Sequence, residues 1–109
     1  MARMDSLHGA LPVLALKILL RRGPLHGYAI ATQIETMSDE VLRVEEGSLY
    51  PALYRMEEKG WIRAKWQTTE NKQRARVYEV TAAGKRYLDT EEQRWRAVTA
   101  AVTHVLNHA

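Results

Sequence analysis

The segment from Gly47 to Glu57 has the sequence GSLYPALYRME, and it guides the interpretation of the whole chain. Its apolar residues recur at steps of three and four, which predicts a helix with one buried face: Leu49, Ala52, Leu53 and Met56. We expect Ser48 to cap this helix, Pro51 to lie in its first turn, and Gly60 to follow its end. The opposite face then points outward with aromatic and charged side chains: Tyr50, Pro51, Tyr54, Arg55 and Glu58.

Two helices are predicted before this segment. The first extends from about Leu7 to Arg21, holds Pro12 in or near its first turn, and is stopped by Gly23-Pro24. Because the residues from Leu11 to Leu20 are apolar nearly all round, we expect this helix to pack on its own domain on one side and on a second chain on the other. The second helix is predicted from about Gly27 to Met37, where apolar residues again fall at helical spacing.

A basic hairpin is predicted after Gly60. Residues 61–66 and 77–81 have the composition of strands, and the polar residues 67–74 form an extended loop between them. The stretch from Arg63 to Arg76 contains five basic residues and one acidic residue, a net charge of +4 against +3 for the whole chain. Positive charge is therefore concentrated in the hairpin.

A long final helix is predicted after Thr81, which is the expected cap. Alternating steps of three and four residues give this helix a heptad-like seam: Leu88, Glu91, Trp95, Val98, Val102 and Val105. A helix with such a seam needs a partner helix, so we expect the chain to form a homodimer.

These elements are typical of a winged helix-turn-helix, a fold that is mainly α with a small β-hairpin. In that fold the third helix enters the major groove of DNA, and the hairpin, or wing, lies along the DNA backbone. We therefore expect a winged helix DNA-binding domain over residues 1–81 and a C-terminal dimerisation helix over residues 82–109. Arginine can pair with guanine and tyrosine can contact a base or a phosphate, so the candidates on the third helix are Tyr50, Tyr54 and Arg55. The wing candidates for neutralising phosphates are Lys72, Arg74 and Arg76.

Composition restricts the classes of function. A chain of 109 residues has room for one core and no second catalytic domain. The lack of cysteine excludes disulfides, cysteine-based zinc sites and thiol nucleophiles. The apolar run from Leu11 to Leu20 contains Lys17 and is too short for a membrane span, so we expect no membrane association and a cytoplasmic location.

Four separated motifs resemble the PadR family of bacterial transcriptional regulators. They are LHGYAI at 25–30, GSLYPALYRME at 47–57, GWI at 60–62 and YEVTAAG at 78–84. The resemblance spans nearly the entire chain, and the single short C-terminal helix is similar to that of the smaller PadR subfamily. It implies a winged helix fold, a dimer made by the C-terminal helix with help from helix one, and binding to inverted-repeat operators, usually as a repressor. The family's DNA contacts fall here on the basic wing and on Tyr28, Tyr50, Pro51 and Arg55. Ser48 is a further candidate for DNA binding.

The resemblance also implies a small-molecule effector. Members of the family often respond to aromatic or hydrophobic compounds, and some hold flat drugs between tryptophans at the dimer interface. Trp95 is the residue that could do so here, and ordinary interface packing is the alternative role for its ring. The predicted effector-binding or dimer surface comprises Leu11, Leu14, Trp95, Val98, Val102 and Val105.

Several residues admit more than one interpretation. Tyr28 either packs its ring under the helix-turn-helix or contacts a phosphate. His104 and His108 lie four residues apart, but no third ligand is near in sequence, so no metal site is expected. His26 is expected to begin a helix.

No catalytic constellation or cofactor loop is visible, so we expect neither an enzyme nor a cofactor. The rival hypothesis is a winged helix dimer that binds proteins or senses ligands without specific DNA binding.

Overall fold

The computed structural model describes residues 9–68 and 70–109, which form four helices and a three-stranded sheet. The elements are α1 (Leu11–Arg22), β1 (Leu25–His26), α2 (Gly27–Met37), α3 (Glu46–Glu58), β2 (Ile62–Thr68), β3 (Arg74–Val80) and α4 (Ala82–His108). This confirms the predicted class, mainly α with a small β-hairpin. The predicted bounds of α2 and the predicted start of α4 are also confirmed.

Helix α1 begins later than predicted. Leu7, the predicted start, lies outside the described residues, and the helix starts at Leu11 with Pro12 in its first turn. Proline is accepted there because the first backbone N–H groups of a helix have no intrahelical partner. Leu11 is only 2% exposed and belongs to the core of its own chain, so it offers no surface to a second chain or an effector. Leu14 is partly buried against that core.

Helix α3 begins earlier than predicted, and Ser48 is not its cap. The carbonyl oxygen of Glu45 accepts from the N–H groups of Ser48 and Leu49 at 3.0 and 2.9 Å, which sets the start at Glu46, and no side chain caps this end. Ser48 therefore lies inside the first turn, and Pro51 lies within the helix rather than in its first turn. The Ser48 prediction failed because the main chain of a preceding residue makes the first helical bonds.

The end of α3 agrees with the prediction for Gly60. The N–H of Gly60 donates to Glu57 and that of Trp61 donates to Met56, each at 3.0 Å. This pair of bonds is the Schellman motif, which requires a residue with positive φ, and Gly60 supplies it with φ of +78°. The chain thereby turns directly from α3 into β2.

The sheet has one strand more than the predicted hairpin. Its order is β1-β3-β2, and both pairings are antiparallel. Strand β1 has only two residues, Leu25 opposite Tyr78 and His26 opposite Val77. We call β2, β3 and residues 70–73 the wing. Through β1, the start of α2 is held next to the base of the wing.

The first turns of α4 are fastened to the wing and to the core. The hydroxyl of Thr81 accepts from the N–H of Gly84 at 3.0 Å, which confirms Thr81 as the cap. Leu88 is buried with α1, α2 and α3 in one core whose largest fully buried side chains are Leu16, Leu19, Ile30, Leu49, Leu53, Met56 and Ile62. Every residue from Arg96 to Ala109 is exposed, so the second half of α4 extends away from that core.

Candidate nucleic-acid interface

Helix α3 presents the predicted aromatic and basic face to solvent. Leu49, Leu53 and Met56 are each 1% exposed and fix the orientation of the helix on the core. The opposite face is exposed, as the helical spacing predicts: Tyr50, Pro51, Tyr54, Arg55 and Glu58. Ser48 is partly exposed at the N-terminal end of this helix.

The start of α2 adds two further residues to this surface. The Nδ1 atom of His26 accepts from the N–H of Ala29 at 3.4 Å, which confirms that His26 begins the helix. Tyr28 is 69% exposed, so the interpretation that its ring packs under the helix-turn-helix is wrong. Gly27 lies under the ring of Tyr50, where a Cβ atom would come within 2.8 Å of Cε1. A Cβ atom at position 27 would therefore displace the ring of Tyr50.

One face of the wing continues from the core into a cluster of aromatic and cationic groups. In the register of β2 and β3, Ala64 pairs with Tyr78, Trp66 with Arg76 and Thr68 with Arg74. Tyr78 is buried, and burial raises the pKa of its hydroxyl. Farther out, the guanidinium of Arg74 lies 4.8 Å from the centroid of the Trp66 ring. Trp66 itself is 56% exposed, so this cation–π pair lies at the surface.

On the other face of the wing, two cations share one carboxylate. Arg63 and Lys65 each place a nitrogen 3.2 Å from the same carboxylate oxygen of Glu79. Their hydrogen bonds hold the pKa of Glu79 below its usual value. The charge of +4 counted from residue 63 to residue 76 omits Glu79, which lies only three residues further along. The hairpin therefore has less uncompensated positive charge than that count indicates.

A second ion pair joins the wing to α3. The guanidinium of Arg76 lies 2.9 Å from Oε2 of Glu57. Sequence reasoning missed this contact, because the partners are 19 residues apart and meet only through the register of the hairpin. Lys72 lies at the turn of the wing. Its φ of +61° is a backbone conformation that residues other than Gly, Asn and Asp rarely adopt.

These elements enclose an open cleft of about 520 Å³ between the start of α2, helix α3 and the wing. Aromatic, cationic and acidic side chains line it together: His26, Tyr28, Tyr50, Tyr54, Glu57, Trp66, Arg74, Arg76 and Tyr78. The structure thus brings five of the predicted DNA contacts to one cleft: Tyr28, Tyr50, Tyr54, Arg74 and Arg76. Four others lie outside its lining, three on α3 and one at the turn of the wing: Ser48, Pro51, Arg55 and Lys72.

A separate groove lies between α1 and α4 and has a volume of about 510 Å³. Leu14 and Trp95 line it, and Lys17 pairs with Glu92 across it at 3.0 Å. Hydrogen bonds from Arg96 and Lys17 lower the pKa of Glu92. The indole Nε1 of Trp95 is buried and has no hydrogen-bond partner among the described residues. Val98, Val102 and Val105 do not line this groove and are exposed apolar side chains elsewhere on α4.

Residues 9–68 and 70–109 contain neither a candidate metal site nor a candidate membrane span. The rings of His104 and His108 lie 4.3 Å apart, but these residues contain no group of three or more metal-ligating side chains that could hold an ion. The same part of the chain contains no helix that is long and apolar enough to cross a membrane.

Three helices with an outward-facing third helix, followed by a wing, define the chain as a winged helix-turn-helix protein. Residues 15–90 match the family described as Transcriptional regulator PadR-like family, and the chain belongs to this family. It is therefore a DNA-binding transcriptional regulator and not an enzyme.

Solved structures share this architecture over almost the whole chain. A transcriptional regulator from Clostridium thermocellum is 27% identical with a TM-score of 0.81, covering 92% of this chain and 96% of its own. A PadR family regulator from Clostridium difficile is 29% identical with a TM-score of 0.75, covering 90% and 99%. An uncharacterized protein from Lysinibacillus sphaericus is 28% identical over 90% of this chain and 89% of its own.

Proposed function

We propose that the chain represses transcription by binding an inverted-repeat operator as a homodimer. The observation that carries this proposal is the continuous exposed surface formed by α3, the start of α2 and the wing. It combines an arginine and tyrosines on a helix of the right size for the major groove with cations on a hairpin that can reach the backbone. A promoter-binding regulator works where the chromosome is, so we also propose a cytoplasmic location.

The proposed contacts divide into base-reading and backbone contacts. Arg55 is the candidate for a bidentate contact with guanine, with Tyr50 and Tyr54 beside it on the same exposed face. Backbone and groove-edge contacts are proposed for Tyr28, Ser48, Pro51, Lys72 and Arg74. Arg76 lies on the same surface, but its guanidinium is already paired with Glu57.

The proposed dimer forms through α4. Its second half presents apolar side chains in a strip along one exposed surface, and Val98, Val102 and Val105 are 41%, 51% and 61% exposed. None of the residues that the structure describes covers this strip, whereas a second copy of the same helix has a matching one. We therefore propose residues 1–81 as the DNA-binding domain and residues 82–109 as the dimerisation helix. The two copies of α3 would read half-sites about 34 Å apart, one turn of DNA.

We also propose that an aromatic or hydrophobic effector binds beside Trp95. Support comes from the groove between α1 and α4 and from the buried Nε1 of Trp95, which has no partner in the part of the chain that the structure describes. A ligand with an acceptor oxygen would satisfy that N–H, since buried donors are nearly always hydrogen-bonded. Trp95→Phe retains the aromatic ring but removes the donor. We expect weaker binding of acceptor-bearing aromatic compounds by this variant, whereas equal binding would favour packing as the role of the ring.

The test of the regulator proposal is a fluorescence-anisotropy titration with duplexes from the chain's own upstream promoter region, over a range of salt concentrations and with random competitor DNA. Binding that resists the competitor and saturates at two chains per site supports the proposal. Weak binding that salt abolishes and random DNA displaces equally would contradict it, and would favour a winged helix dimer that binds proteins or ligands instead.

A further inference from the structure

The two cations on the cleft face of β3 have different surroundings. Arg76 is held by three groups: its guanidinium lies 2.9 Å from the carboxylate of Glu57 and 5.8 Å from the ring centroids of both Trp66 and Tyr78. The Arg76 and Glu57 side chains are 41% and 29% exposed, so this pair is partly shielded from water. The charge of Arg76 is therefore largely compensated within the protein.

Arg74 lies two residues earlier on the same face of β3 and has no such compensation. Its guanidinium rests 4.8 Å from the centroid of Trp66, and no carboxylate of the described residues lies within ion-pair distance of it. An aromatic ring orients a guanidinium without neutralising its charge. The Arg74 guanidinium can therefore bind an external anion.

The outer part of the wing depends on few contacts with the rest of the fold. Ile62 and Tyr78 are buried at its base, whereas β2 is exposed from Lys65 to Thr68. The Glu57–Arg76 pair connects this outer part to α3, and it lies between the base of the wing and Arg74. The distance from α3 to Arg74 is consequently set in part by this one pair.

Given the DNA-binding function proposed above, we infer that Arg76 is a positioning residue that holds the wing against α3 through Glu57, and that Arg74 is the cation of β3 that contacts phosphate. A phosphate that approached Arg76 would meet the carboxylate of Glu57, which is fixed on α3 and repels it. Arg74 meets no such carboxylate.

The positioning role is tested without DNA, by hydrogen exchange of the backbone amides in β2 and β3. Glu57→Gln removes the negative charge of the ion pair at unchanged size, and Arg76→Gln removes its positive charge while keeping a polar, shorter side chain. We expect about two- to fivefold faster exchange in the outer wing for both variants. The matched control Arg74→Gln exchanges like the wild type, and the double exchange Glu57→Arg with Arg76→Glu restores slow exchange. Unchanged exchange in both single variants would overturn the positioning role.

The different roles of Arg74 and Arg76 are tested by the salt dependence of binding to a labelled duplex of random sequence. Arg74→Gln should lower the slope of log K against log salt by about one unit, because one phosphate contact is lost. Arg76→Gln should leave the slope unchanged, and Glu57→Gln should raise it by about one unit, because it frees Arg76 for phosphate. If Arg76→Gln lowered the slope as Arg74→Gln does, while Glu57→Gln did not change it, the assignment would be wrong.

These outcomes are separate from those of the operator proposal. A wild-type chain that binds promoter and random duplexes equally would refute sequence-specific regulation. The roles of Arg74 and Arg76 would still be decided by the exchange rates and by the slopes on random DNA, since neither measurement needs a specific operator.

Discussion

The ring of Trp61 stacks on the ring of Tyr87, with centroids 3.6 Å apart and planes 16° from parallel. Trp61 immediately precedes β2, and Tyr87 lies in the second turn of α4. The stack therefore joins the residue that leads into the wing to the helix through which we propose that the chain dimerises. Partial burial of Tyr87 raises the pKa of its hydroxyl.

Replacement of Tyr87 tests this junction. Tyr87→Ala should lower the free energy of unfolding by about 2 kcal/mol, because it removes the stacked ring and the apolar contact around it. Tyr87→Phe keeps the ring and should stay close to the wild type. Urea unfolding measures both variants. Equal midpoints for Tyr87→Ala and Tyr87→Phe would show that the stack contributes no stability.

Two helical glycines should respond oppositely to alanine. Gly84 lies so close to Trp61, the residue before β2, that a Cβ atom would clash with the carbonyl oxygen of Trp61, whereas Gly47 has open space at the same position. Alanine is normally better than glycine in a helix by up to about 1 kcal/mol. We therefore expect Gly47→Ala to be neutral or stabilising and Gly84→Ala to be destabilising. Thermal unfolding compares them directly, and stabilisation by both would contradict the close packing of α4 on the main chain of Trp61.

The pair between Lys17 and Glu92 predicts a pH dependence of stability. The pKa of Glu92 is lowered from its ordinary value of 4.5 by hydrogen bonds from Arg96 and Lys17. The folded state therefore binds the Glu92 proton more weakly than the unfolded state does, and the resulting stability is present above the unfolded pKa and lost as the pH falls through the folded pKa. Wild-type stability should thus fall more steeply in acid than that of Glu92→Gln. Urea midpoints of the wild type and of Glu92→Gln that fall in parallel as the pH drops below the unfolded pKa of Glu92 would contradict the prediction.

Much of the fold could be predicted from the sequence because most helices have clear apolar periodicity. The bounds of α2 and the cap of α4 follow from local signals, since Thr81 caps through its own side chain. The start of α3 does not, because the carbonyl of Glu45 makes its first bonds and leaves Ser48 inside the helix. Strand β1 has only two residues and no alternation, so it is recognisable only through its pairing with β3.

The candidate site was predictable to a similar extent. Helical spacing places Tyr50, Tyr54 and Arg55 outward, but it cannot show which wing cations are already paired with a carboxylate. That distinction depends on Glu79 and Glu57, whose contacts with the wing arise from strand register and from the packing of α3 on the sheet. Leu11 was misassigned for a related reason, since an all-apolar helix does not show which of its faces the chain itself covers.

The proposed dimer predicts a clear effect at the middle of the exposed strip on α4. Val102→Lys places a charge where the partner helix would pack, and it should shift the protein from dimer to monomer in sedimentation equilibrium. Ala101→Lys places the same charge one residue away, outside the predicted seam, and should stay dimeric. If both variants sedimented as the wild type does, the dimer, if present, would use another surface.

The most direct test of the central claim is the effect of Arg55→Ala on binding to a promoter duplex and to a random duplex at the same salt concentration. Lys72→Asn is the comparison variant, because it removes a proposed contact to the DNA backbone. Asparagine tolerates the positive φ of residue 72. We predict that Arg55→Ala costs about 1 to 3 kcal/mol on the promoter duplex and little on random DNA, whereas Lys72→Asn weakens both duplexes alike and lowers the salt slope by about one unit. Equal losses on the two duplexes for Arg55→Ala would contradict the assignment of α3 as the element that reads the operator.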